Sequence, residues 1–135
     1  YLADLYLRAA WCCVDEGDTE AERYFRRLAA WRFADALDAY DVVPAAERAV
    51  ITYLIGELWR RIGDHEKADH WFERVADEVT EPVAQSWVLE VAEQQRVQLL
   101  LHEVTRRAEA AEGHLHEREA DASQLKTLVG PARLK

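Results

Sequence analysis

One stretch constrains the fold more than any other: ITYLIGELWRRIGDHEKADHWFERVADEVTEP, residues 51–82. Before Gly63-Asp64, the apolar residues Ile51, Leu54, Ile55, Leu58, Trp59 and Ile62 recur at steps of three and four, the mark of an amphipathic helix. After it, Ala68, Trp71, Phe72, Val75 and Val79 do the same. Gly63 can take the left-handed conformation that ends a helix, and Asp64 suits the N-cap of the next. Pro82 follows Thr80-Glu81, where one helix should stop and another start. The stretch therefore predicts an antiparallel helical hairpin.

Gly56, Trp59, Gly63, Ala68 and Phe72 stand at the spacing of the tetratricopeptide pattern, with Val75 larger than the usual Ala. The hairpin resembles that repeat family. Physically, Gly56 and Ala68 lack bulk and are expected to face one another where the two helices come closest, with Trp59 and Phe72 filling the space beside them. The resemblance implies an all-α stack of hairpins whose first helices line a concave surface.

An earlier hairpin repeats the signal. Leu2, Leu5, Tyr6, Ala9, Ala10 and Cys13 form one helical stripe, and Gly17-Asp18 follows. Ala21, Phe25 and Leu28 then echo Ala68, Phe72 and Val75, with the turn one residue shorter before the Ala. The Gly-Asp pairs lie further apart than the family's period of roughly 34 residues. Residues 29–40 take up the surplus, so the second helix of this hairpin should be long. Pro44 suits the first turn of the helix after it. The segments LADLYLRAAWCC, RYFRRLAAW and YLIGELWRRIGDHEKADHWFERV also resemble a bacterial family known only as a domain of unknown function, over residues 2–96. The resemblance implies a Cys-rich, zinc-ribbon-like part ahead of the helical repeats and offers no activity to carry over. A chain that starts at Tyr1 and contains no Met is expected to be a piece of a longer protein.

Residues 83–96 should form a capping helix with Val83, Trp87, Val88, Val91 and Ala92 on its apolar side, because an open stack needs its last face covered. From Val97 a heptad seam begins: Val97, Leu101, Val104, Ala108, Ala111, Leu115, Arg118, Ala122, Leu125 and Val129. Gly113 weakens this helix by roughly 1 kcal/mol, and Gly130-Pro131 should end it. The seam either folds back over the repeats or forms a coiled coil with another chain, a homodimer being one form. The expected organisation is a repeat-like domain over residues 1–96, a long helix over 97–130 and a tail over 131–135.

A net charge of −9 argues against nucleic acid or an anionic membrane as the main partner. No apolar run has the length of a membrane span and no signal peptide is visible, so a cytoplasmic protein is expected. Cys12 and Cys13 are helical neighbours unsuited to pairing with each other, and no further Cys exists to complete a zinc site. His65 and His70 stand five apart, whereas the zinc-protease motif needs four. His114, Glu117 and Asp121 read as a solvated face. Arg26-Arg27 and Arg60-Arg61 read as surface ion pairs. No phosphate loop or nucleophile elbow is present, so neither an enzyme nor a cofactor is expected.

The remaining candidate is the concave surface. Its first-helix positions are Asp4, Leu7, Trp11, Val14 and Asp15 in one hairpin, and Val50, Tyr53, Glu57, Arg60 and Arg61 in the other. The Lys/Asn clamp by which some tetratricopeptide proteins hold a terminal carboxylate has no counterpart, since Tyr53 and Glu57 occupy those places. Leu7, Trp11 and Tyr53 beside Arg60 and Arg61 suit a protein or peptide partner with an aliphatic anchor and some acid. Two rival roles stand beside this one: an oligomerisation scaffold built on the seam, or an accessory region of a longer protein with a metal-binding N-terminal part.

Overall fold

The computed structural model describes residues 2–39 and 41–133, with side chains described for 3–39 and 41–125. The described residues form five helices and no strand: α1 (Leu2–Glu16), α2 (Thr19–Asp38), α3 (Ala45–Ile62), α4 (His65–Glu78) and α5 (Ser86–Arg133). Residues 1–99 make one compact unit and 100–135 a second, with α5 running through both. In the first unit, α1 packs on α2, α2 on α3 and α3 on α4. Phe33 and Leu37 of α2, Ile55, Leu58 and Trp59 of α3, Phe72 and Val75 of α4 and Val88 of α5 are the large members of its core.

Both hairpin turns follow from two residues each. Gly17 and Gly63 have φ of 75° and 98°, a region that costs glycine nothing and other residues much. At the second turn the Asp64 N–H donates to the Trp59 carbonyl (3.0 Å) and the Gly63 N–H to Arg60 (3.1 Å). At the first, Asp18 donates to Cys13 (2.9 Å) and Gly17 to Val14 (3.0 Å). These are the paired bonds by which a helix end satisfies its last carbonyls. Each Asp then caps the following helix, Asp18 accepting from the Ala21 N–H and Asp64 from the Lys67 N–H, both at 3.1 Å.

Every one of these bonds repeats at a fixed offset, so the first turn is not a residue shorter than the second. Glu22 N–H donates to Asp18 as Ala68 N–H does to Asp64, both at 3.0 Å. In that register Glu22 takes the place of Ala68, and Arg26 the place of Phe72. Ala21 and Phe25, expected there from sequence, are only half-buried; Phe25 instead stacks on Tyr6 with centroids 6.5 Å apart. Arg26 is 4% exposed and donates from Nε to Glu22 Oε1 at 2.9 Å. It belongs to the hairpin interior, not to the surface.

The second hairpin is closed by a steric fit. A Cβ on Gly56 would lie 2.6 Å from Cδ1 and Cε1 of Phe72, so glycine is what lets that ring lie against α3. The close partner of Gly56 is therefore the Phe72 ring; Ala68, fully buried, shares the helix face with it.

Elsewhere the helix ends differ from the sequence expectation. Pro44 is the N-cap of α3, one place before its first turn. The cap helix starts at Ser86 and leaves Val83 exposed, and Trp87 also points outward. Its inward residues are Val88, Ala92 and Leu99, with Gln85 buried just ahead of it. No break separates it from the long helix, and Gly130-Pro131 lies inside α5. Glycine costs a helix only about 1 kcal/mol; proline costs about 3 kcal/mol or more, and the helix runs only two residues past Pro131. The side chain of Val129 lies outside the described residues.

Two consequences can be measured. Gly56→Ala should lower stability by about 1–2 kcal/mol, overpacking outweighing the gain in helix propensity. Gly113→Ala, with nothing within 4 Å of the new Cβ, should raise helicity; circular dichroism melts check both signs. Glu22→Ala should cost about 3 kcal/mol by stranding Arg26, whereas Glu22→Ala with Arg26→Met should recover most of that loss. Chemical denaturation of the two variants decides it.

Candidate partner surface

The α3 half of the expected surface is a connected network. The Tyr53 hydroxyl donates to Glu57 Oε1 at 3.0 Å. Arg60 donates from Nε to Glu57 Oε2 at 2.8 Å, with Arg61 Nε 3.9 Å from the same oxygen. Tyr53, Glu57 and Arg60 are half-buried, and Val50 and Arg61 are exposed. The Tyr53 ring lies against Phe72, centroids 5.5 Å apart. Burial, then the neighbouring Glu57 carboxylate, pushes the phenol up to about 12, with Arg60 and a hydrogen bond to Gln95 acting the other way. Gln95 belongs to α5, so the capping helix reaches Tyr53. The charge of Arg60 is spoken for by Glu57.

The α1 half is different. Leu7 is half-buried and packs on the core, but Trp11 is 53% exposed and Val14 48%. In the common register Leu7 matches Tyr53, Trp11 matches Glu57 and Val14 matches Arg60. The same face thus carries a polar network under α5 in the second hairpin and an open apolar strip in the first. Asp15 is exposed beside that strip. The structure brings Tyr53, Glu57, Arg60 and Arg61 together as a cluster on α3 and sets Leu7 and Trp11 together on α1.

Gln95 was not legible as part of this surface. The one hint is a polar residue inside the apolar stripe Val88, Ala92, Leu99. A further cavity of about 270 Å³ is lined by Ala3, Phe33, Ala36, Val43 and Ile51, with Arg32 and Asp35. Its lining is mostly apolar and offers few polar groups to orient a ligand.

The two thiols are free, Cys12 exposed and Cys13 buried. Burial, then Asp18 and Glu16, pushes the Cys13 thiol up, away from the reactive thiolate. Among the described residues no group of three or more His, Cys, Asp or Glu is placed to hold a metal ion, and no helix is long and apolar enough to cross a membrane.

Residues 1–101 match the model of a family described as "Uncharacterized protein conserved in bacteria (DUF2225)". No curated protein and no solved structure shows significant similarity.

The raised Tyr53 has a thermodynamic consequence. The folded chain holds its phenolic proton above pH 10, where the unfolded chain loses it, so stability should fall between pH 10 and about 12. Tyr53→Phe should flatten that part of the curve; denaturation midpoints measured across this range check it.

Proposed function

The chain belongs to the DUF2225 family, and we propose that its residues 1–99 are a tetratricopeptide-like module that binds a protein or peptide partner and performs no catalysis. The repeat reading is supported by two hairpins with the same turn bonds in one register and by the packing of α2 on α3 between them. The binding reading rests on a single contrast. Trp11 and Val14 on α1 stand open beside the half-buried Leu7, whereas their counterparts on α3, Glu57 and Arg60, are bonded to each other and to Tyr53.

A half-exposed Trp flanked by aliphatic groups is the kind of residue that carries binding energy at protein interfaces. The partner's chemistry follows from what surrounds it. Because Arg60 is held by Glu57, the surface offers little free positive charge for an acidic ligand. Asp15 and the net charge of −9 favour a partner with an apolar anchor and a basic flank instead. The two unpaired thiols suit a reducing, cytoplasmic setting.

Selection of peptides from a displayed random library against the chain tests this. The enriched peptides should share an aliphatic or aromatic anchor next to Lys or Arg. Trp11→Ala should weaken them at least about tenfold with the melting temperature unchanged. Peptides that bind Trp11→Ala as tightly, or a library with no enrichment, would sink the proposal.

A further inference from the structure

Helix α5 carries two apolar stripes on opposite sides. Gln85 just before it and Val88, Ala92 and Leu99 within it are buried, at steps that keep them on one face. Val97, Leu101, Val104, Ala108, Ala111 and Leu115 lie about half a turn of the helical wheel away, and all are exposed; Val97, Leu101, Val104 and Leu115 are each 53–55% exposed. Leu125, further along the same seam, is 63% exposed. A seam that keeps strict heptad spacing for four heptads, apolar at every position but Arg118, is the pattern of a coiled-coil strand.

The charges beside the seam say which partner fits. In a parallel, in-register pair of helices, the residue just before one seam position meets the residue five further on in the other chain. Arg107 then meets Glu112 and His114 meets Glu119, each pairing occurring twice by symmetry. Neither pairing sets like charges together. An antiparallel pair that keeps Ala111 opposite Leu115 would instead set Glu112 against Glu112. Within its own chain Arg107 Nε lies 3.0 Å from Glu103, but Arg106 already holds that carboxylate with two bonds of 3.2 and 2.8 Å. Arg107 can therefore leave Glu103 without stranding it.

We propose that residues 97–125 form a parallel, in-register coiled coil with a second copy of this chain. The inference is independent of the peptide-binding reading. Ala108 and Ala111 make thin layers, and Arg118 meets its own copy across the seam, so the dimer is weak and dissociates on dilution. The same Arg118 gives the proposal its sharpest handle, because replacing it should strengthen the dimer.

Sedimentation equilibrium of the 135-residue chain over a range of concentrations is the test. The chain should be a dimer that comes apart on dilution. Leu101→Glu with Leu115→Glu should weaken it at least about tenfold, and Arg118→Leu should tighten it at least about tenfold. Circular dichroism on each variant establishes that the helices are retained. Arg107→Glu and Glu112→Arg should each weaken association, and the two together should restore it. A chain that stays monomeric to its solubility limit overturns the proposal. So does a double charge swap that fails to rescue the single ones, which would leave the parallel register without support.

Discussion

Carbonyl groups at the end of a helix have no partner within it, and in this chain the first turn of α3 meets one such group and ties several helix ends together. Arg48 donates from Nη1 to the Leu37 carbonyl at the end of α2 (3.0 Å). It also holds Glu78, the last residue of α4, through two bonds of 2.8 and 3.3 Å. Gln85, 8% exposed, donates to the Ala46 carbonyl at 3.0 Å and accepts from the Thr80 and Glu81 N–H groups at 2.8 and 2.9 Å. One arginine and one glutamine thus join the end of the first hairpin, the end of the second, and the entry to the helix that caps them. Apolar packing alone is non-directional; these bonds fix which helix end meets which.

The aromatic contacts between hairpins depend on that arrangement. Trp59, 4% exposed, meets Trp31 of α2 edge to face with centroids 6.3 Å apart. Lys67 of α4 sits over the Trp59 ring, 4.3 Å from its centroid. A cation on a ring face and an aromatic neighbour are each worth about 1 kcal/mol. That is enough to orient the indole and too little to replace the clamp around Arg48.

How much was legible follows from the range of each interaction. The Gly-Asp turns are local: a left-handed glycine and a capping carboxylate act within four residues, so sequence shows both. The apolar spacing of α3 and α4 is local too. Arg48 and Gln85 were invisible because their partners lie 30 and 39 residues away, and nothing in a polar residue near a helix start announces such a reach. Arg26 misled for a related reason. Its charge suggested the surface, but Glu22 one turn back makes it compatible with burial. On the candidate surface, helical spacing puts Tyr53, Glu57 and Arg60 on one side of α3 and the structure joins them by hydrogen bonds. Spacing alone does not show that Glu57 engages Arg60 or that Gln95 of α5 reaches Tyr53.

The pairing of Gly56 with Phe72 bears on whether helices can be exchanged between the two hairpins. In the shared register the first hairpin has Ala10 and Arg26 where the second has Gly56 and Phe72, and Ala10 and Gly56 are both buried. Each combination is compatible within itself. Transplanting α4 alone into the place of α2 would bring a benzyl ring against a methyl group, since Gly56 tolerates that ring only for want of a Cβ. Transplanting α2 alone would set an ion pair beside a hole. The two helices of each hairpin are thus matched to one another, and exchanging one calls for exchanging both.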